Sequence, residues 1–411
     1  MIKHWEENVA LLKEYIRKNW HNAMKEPSGI LRYKFMDPAA SYRGQLWDWD
    51  SFFCGVSLMD VYPDTAEYVQ GCAMNFMDHM RKDGSIPYVI NTNSPKEIGG
   101  IPGTDLEERS AECDLNSMKP LLAQMILLAH RKISDIEWIV QSWEKLERHI
   151  AHWEATQQKP NGVFVWRSMR GSGVDNHPAI YGRPLNSSAG VELNCLMYQE
   201  YLAMQKIAEI CKHHEAAKIY AQKAETLAKA MNERMWDEID GLYYHLDMLS
   251  QKPVTANQEI SWDVPLKFRS WTCFMPMWAG IAPKEYAERM VREHLMNPDE
   301  FYSEFGLRTL AKNEKLYNTV ESGNPSNWQG PIWIISTYLM VVGLWNYGYR
   351  KEANHVTENL VNMLCCDLRE HGLLHEYYNP ETGKSNINAG FMNWNALAGV
   401  MTDLIKERQA I

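Results

Sequence analysis

Gly330-Pro331-Ile332-Trp333-Ile334-Ile335-Ser336-Thr337-Tyr338-Leu339-Met340-Val341-Val342 carries apolar or small side chains at nearly every position. A helix that is apolar all round must be enclosed on all sides. Lys351 to Arg369, after the break at Tyr349-Arg350, is instead amphipathic. The two segments read as an inner helix followed by an outer one. Pro331 suits a first helical turn, and Gly330 permits close backbone approach. The nearly apolar run Ile332 to Trp345 is too short to span a bilayer.

The same pairing extends along the chain. Helical stripes occur at Leu11, Leu12, Tyr15, Ile16 and Trp20, and at Met118, Leu121, Leu122, Met125, Ile126 and Ala129. Ser134-Asp135-Ile136-Glu137 has the pattern of a capping box, and Pro283 suits another first turn. About twelve helices are predicted, starting near Lys3, Asp48, Thr65, Leu115, Asp135, Ala189, His214, Leu266, Pro283, Gly330, Lys351 and Ala389. Short breaks such as Tyr62-Pro63-Asp64 and Lys212-His213 separate partners, whereas long Gly/Pro/Trp-rich connections separate pairs. If the pairs close into a ring, all long connections fall at one end and their polar and aromatic residues converge there. No linker divides the chain, so 1–411 is expected to be a single domain. A solenoid of similar repeats is the alternative, but no repeated signature is present.

The 411 residues include 45% hydrophobic and 23% charged side chains, ordinary values for a globular protein with a large core. A net charge of −10 argues against nucleic acid as a partner. Eight cysteines without a CxxC pair read as free thiols in a reducing compartment. The charged N-terminus lacks a signal-peptide core, so a cytoplasmic location is expected.

Sixteen Trp and 20 Tyr are more telling, since many sit beside Asp, Gly, Asn and Pro rather than in helical stripes. Two carboxylate-bearing segments stand out among them. Gly171-Ser172-Gly173-Val174-Asp175-Asn176-His177 places an acid in a loop with freed backbone, and His375-Glu376-Tyr377-Tyr378-Asn379-Pro380-Glu381-Thr382-Gly383 answers it downstream. A turn Asp capping its own backbone and an exposed hairpin Glu are the plain alternatives. Glu381 is expected to face solvent. Tyr42-Arg43-Gly44-Gln45-Leu46-Trp47-Asp48-Trp49-Asp50, Asn327-Trp328-Gln329-Gly330-Pro331-Ile332-Trp333 and Phe391-Met392-Asn393-Trp394-Asn395 supply aromatic faces beside hydrogen-bonding groups. Two carboxyls among aromatic platforms match the needs of glycosidic bond cleavage. One protonates the leaving oxygen and the other activates water or attacks the sugar. A metal site on Asp48 and Asp50 lacks further ligands. No HExxH, GxSxG, phosphate loop or dinucleotide fingerprint occurs.

Four ordered motifs, Tyr42 to Phe53, Ser172 to Asn176, Asn327 to Trp333 and His375 to Gly383, resemble glycoside hydrolase family 63 and its trehalase relatives, and the resemblance runs from about Tyr42 to Trp394. The resemblance implies an all-α (α/α)6 barrel, a six-hairpin toroid with its active site on the long-loop face. It also implies an inverting, exo-acting hydrolysis of a small α-glucoside or α-mannoside, without a cofactor or metal. By resemblance Asp175 is the general acid, Glu376 the general base, and Trp47, Trp49 and Asp50 line the sugar subsite. Tyr42, Gln45, Gly173, Asn176, Arg183, Trp328, Gln329, Trp333, His375, Tyr377 and Trp394 complete the expected substrate-binding set. Asp175 is expected to stay protonated near neutral pH and Glu376 ionised, with carboxyls roughly 6.5–9.5 Å apart. The chain departs from the family pattern at Gln329, where Arg is usual, and at Gly171, where Glu is frequent. A trehalase Pro-Gly-Gly-Arg-Phe signature is absent. The compact length is more like bacterial mannosylglycerate and glucosylglycerate hydrolases. Arg167, Arg170 and Arg183 flank Asp175 as candidate carboxylate donors.

Two other readings stand beside this one. A sugar isomerase or epimerase on the same barrel would need a histidine pair, and His177 and His375 adjoin the two acids. A helical-pair scaffold that binds proteins would lack an inward cluster of carboxylates and Trp, and would expose apolar patches instead.

Overall fold

The computed structural model describes residues 2–92, 116–250, 262–323 and 325–406. Twelve helices among them follow in order: α1 Ile2–Asn19, α2 Asp48–Leu58, α3 Thr65–Asp78, α4 Leu122–His130, α5 Glu137–Gln157, α6 Val191–Ile210, α7 His214–Arg234, α8 Met275–Ala279, α9 Lys284–Arg289, α10 Ile334–Asn346, α11 Arg350–His371 and α12 Leu397–Lys406. A helical turn, Met169–Ser172, stands apart from them. The even-numbered helices touch in a closed cycle: α2, α4, α6, α8, α10, α12 and back to α2. Odd-numbered helices pack outside, α3 on α2 and α4, α5 on α4, α7 on α6, and α11 and α1 on α12. This is an (α/α)6 barrel.

The burial pattern follows the sequence pattern. α10 buries ten of its 13 residues, whereas α11 buries ten of 22 along one stripe through Val356, Leu360, Val361 and Leu364. Gly343 lets two inner helices close up, because a Cβ there would lie 3.0 Å from the Cβ of Met277 on α8. No helix among the described residues is long and apolar enough to cross a membrane. Cys54, Cys72, Cys195, Cys211, Cys273, Cys365 and Cys366 are free, while Cys113 lies outside the described residues.

Several helices start later than their stripes suggest, because other partners take the backbone groups first. α4 starts at Leu122, and Leu115 lies outside the described residues. Ahead of it, the N–H of Met118 donates to Ile86 O and that of Lys119 to Asp48 Oδ2, and Pro120 has no N–H to give. The start expected near Leu266 is instead strand Val264–Leu266, paired with His245–Asp247, and α8 begins only at Met275. Pro331 does not open a helix either. Ile332–Trp333 pairs antiparallel with Tyr377–Tyr378, and α10 begins at Ile334. α12 starts at Leu397, after a 3₁₀ turn at Trp394–Ala396. The capping box is not formed: Asp135 Oδ1, rather than Ser134, takes the N–H of Glu137.

Candidate active site

Helices α2, α10 and α12 each start beside a tryptophan, and these inner-helix starts meet at the long-connection end. They border a cavity of about 700 Å³. Its lining includes Tyr42, Trp47, Trp49, Asp50, Gly173, Asp175, Trp328, Trp333, Glu376 and Trp394 from the expected set. The indoles form a continuous floor. Trp328 and Trp333 stack with centroids 3.9 Å apart, and Trp49 lies 5.8 Å from Trp328 and 5.6 Å from Trp394. Nε1 of Trp394 has no hydrogen-bond partner among the described residues.

Asp175 sits on a loop whose geometry depends on Gly173. That glycine has φ +71°, and a Cβ there would approach the Trp49 ring to 2.9 Å. The loop is clamped to the segment 326–330. The N–H of Ser326 donates to Asp175 Oδ2 (3.0 Å), that of Trp328 to Asn176 Oδ1 (2.7 Å), and Gln329 Nε2 to Asn176 O (2.8 Å). Burial raises the Asp175 carboxyl above its ordinary range, while the Ser326 N–H, Lys119 and Arg170 pull the other way.

Glu376 stands on the arm of a hairpin closed by Asn379–Gly383. Its N–H donates to Ile387 O (3.1 Å), and Asn388, in the left-handed region at φ +56°, donates its amide to Glu376 Oε2. The residue is buried rather than an exposed hairpin Glu. Burial pushes its carboxyl up to about 7, the charge of Asp175 adds to this, and Asn388 opposes it. Full ionisation at neutral pH, expected from the sequence, therefore gives way to a group that titrates there. Asp50, bonded to Asn393 Nδ2 at 2.8 Å, is raised well above its ordinary range by burial and by Asp48. The phenol of Tyr42 is raised by burial and by the charges of Glu376, Asp175 and Asp50.

The remaining expected residues stand behind the wall. Gln45 accepts from Trp47 Nε1 (3.0 Å). Arg183 pairs with Asp247 (2.6 Å) and donates to Ser188 Oγ. Asn176 and Gln329 form the clamp already described. The hydroxyl of Tyr377 donates to Ser322 O (2.8 Å) while its ring stacks on Trp333. His375 Nδ1 faces Asp367 Oδ2 (3.0 Å). His177 is buried against Ser270 Oγ (2.9 Å), and desolvation drives its imidazole down to about 3. Neither histidine lines the cavity, which removes the geometric basis of the isomerase reading. The inward cluster of carboxylates and Trp likewise runs against a protein-binding scaffold. Asp48 is not a metal ligand: Lys119 Nζ lies 3.0 Å from its Oδ1, both side chains being buried. Glu381 is exposed, as expected, and is paired at the surface with Arg308 (2.9 Å), Lys312 (2.7 Å) and the Tyr317 hydroxyl.

Lys119, Met169, Tyr181, Ser326 and Asn388 line the cavity without having been expected there. Of the three flanking arginines, Arg170 lines it and Arg167 and Arg183 do not. Lys119 and Asn388 carry no motif, and only the ring brings them to the site.

The chain matches the model of the "Mannosylglycerate hydrolase MGH1-like glycoside hydrolase domain" over residues 43–395. It is similar to a probable mannosyl-oligosaccharide glucosidase of Schizosaccharomyces pombe, 24% identical over 55% of this chain and 28% of that protein. It is also similar to a mannosylglycerate hydrolase of Rubrobacter radiotolerans, 24% identical over 50% of this chain and 41% of that protein. The matches thus span less than half the length of these relatives. Among solved structures, a glycoside hydrolase family 63 mannosylglycerate hydrolase from Thermus thermophilus, in complex with Tris and D-glycerate, superposes with a TM-score of 0.69. It is 16% identical and covers 96% of this chain and 100% of that one. With a family model covering most of its length, the chain belongs to the MGH1-like glycoside hydrolase domain family.

Proposed function

We propose that this protein is a single-domain, inverting, exo-acting α-glycosidase that hydrolyses a small α-mannoside or α-glucoside, with Asp175 as general acid and Glu376 as general base. The observation that carries the reading is two buried carboxyls, both raised by desolvation, facing one tryptophan-floored cavity. About 700 Å³ suits a ligand of disaccharide size. The indole faces cover a pyranose ring, while Asp50 hydrogen-bonds sugar hydroxyls.

Hydrolysis then proceeds in one displacement. Asp175 gives its proton to the glycosidic oxygen as the C–O bond breaks. Glu376 takes a proton from a water that attacks the anomeric carbon from the opposite face. Asn388 holds Oε2 of Glu376, which leaves Oε1 for the water. The names of the relatives and the Arg170 cation on the cavity wall favour a glycerate conjugate as substrate. The free thiols among the described residues support a cytoplasmic location.

The test is proton NMR of the first sugar released from α-mannosylglycerate, α-glucosylglycerate, kojibiose and trehalose. Initial appearance of the β-anomer is expected. Prompt release of the α-anomer would eliminate the assignment.

A further inference from the structure

The C-terminal end of α11 gathers three metal-ligating side chains outside the sugar cavity. Asp367 and His371 lie one turn apart, and Gly372 turns the chain back in the left-handed region (φ +74°), which returns His375 to them. Nδ1 of His371 is 2.8 Å from Asp367 Oδ1, and Nδ1 of His375 is 3.0 Å from Oδ2. The three ligand atoms lie within 4.8 Å of one another. The Tyr378 hydroxyl donates to Oδ2 at 2.8 Å and fixes the carboxylate plane.

The charge balance calls for a cation. The side chain of Asp367 is only 3% exposed, and its ion-pair partners among the described residues are these two histidines. Histidine is not a permanent cation, so this buried carboxylate has no fixed opposite charge. His371 is 44% exposed, which gives an ion a route in and leaves water a coordination position.

We propose that Asp367, His371 and His375 form a binding site for a transition-metal dication of the Zn²⁺ class. Two imidazoles with one carboxylate select such an ion over Mg²⁺ or Ca²⁺, which take oxygen ligands. Zn–N and Zn–O bonds of about 2.0–2.2 Å put adjacent tetrahedral ligands roughly 3.4 Å apart. The observed edges, 2.8 Å to Oδ1 and 3.0 Å to Oδ2, would open by about half an ångström around an ion, and all three ligand atoms start within 4.8 Å of one another. Each imidazole then turns a bare Nδ1 to the metal and keeps its proton on Nε2. On His371 that nitrogen faces solvent and lies 3.8 Å from Glu370 Oε1, beyond hydrogen-bond reach. The ion ties α11 to the strand that follows Glu376, since His375 precedes that residue directly. It is a structural clamp and takes no part in the chemistry of the cavity.

The experiment uses the full-length, untagged, EDTA-treated protein with Cys366→Ser, which removes the exposed thiol neighbouring Asp367. Calorimetric titration with Zn²⁺ should show one site per chain with Kd below about 10 µM. Saturation should raise Tm by about 2 °C or more, and Co²⁺ should give a visible ligand-field absorption. His371→Ala should weaken binding at least tenfold and abolish the Tm gain while keeping its metal-free Tm. His371→Asn serves if the alanine variant folds poorly. His214→Ala, at an exposed site on α7, should change nothing. Absence of saturable one-to-one binding, or undiminished binding in both His371 variants, would overturn the proposal.

Discussion

The backbone N–H of Ser326 donates to Oδ2 of Asp175 at 3.0 Å, joining segments 151 positions apart. An oxygen that accepts this bond is the poorer place for a proton. The acidic proton of Asp175 therefore belongs on Oδ1. If Asp175 is the general acid, Asp175→Asn should cost about 10²–10⁴ in kcat on substrates with an alkoxide leaving group. The loss should be far smaller on a glycosyl fluoride, whose leaving group needs little protonation. Equal losses on both would assign Asp175 a binding role only.

The pair should be active with one proton, held by Asp175. Below the acid limb both carboxyls are protonated and no base exists; above the alkaline limb no acid remains. A bell-shaped kcat/KM profile is expected, with one limb near pH 7, where Glu376 titrates, although the limbs belong to the coupled pair. Asn388 donates to Glu376 and lowers its pKa. Asn388→Ala should accordingly move the limb near 7 to higher pH. An unmoved profile would show that this amide does not tune the base.

Ionised Glu376 should weaken the fold. Its folded-state value of about 7 lies above the ordinary 4.5. Its stabilising contribution is thus complete below pH 4.5 and is lost as pH rises through 7, an effect on the order of 3 kcal/mol. Glu376→Gln should therefore melt higher than wild type at pH 8, by several degrees, yet no higher at pH 4. The same variant should lose turnover by about 10³-fold while still binding substrate. A Tm difference of the opposite sign at pH 8 would contradict the desolvation account.

Gly173 serves both backbone and packing, with φ +71° and the Trp49 ring where a Cβ would sit. Gly173→Ala should destabilise by about 1–2 kcal/mol. It should also push Trp49 aside and raise KM, as thermal melts and steady-state kinetics would show. A variant with unchanged Tm and KM would remove this glycine from the site's design.

The paired inner and outer helices were legible from local pattern, because burial on all sides or on one side leaves a periodic mark within a single segment. α10 and α11 show this plainly. The motif residues of the cavity, from Trp47 to Trp394, were legible because glycine, proline and aromatic residues gather where long connections meet inner-helix starts. Boundaries failed where backbone hydrogen bonds went to distant partners, as at Ile332–Trp333, which pairs with Tyr377–Tyr378 before α10 can begin.

What the sequence by itself determined was the type of elements, their order, and the chemical kinds of side chain available at one end of a ring. Only the tertiary structure decided which of them face the cavity. It turned Arg183 to Asp247, His375 to Asp367 and Asn176 to the backbone of Trp328, and brought Lys119 and Asn388 to the wall. The physical reason is that a side chain's direction is set by the hydrogen bonds and charges it meets across the fold, and those partners lie far away along the chain.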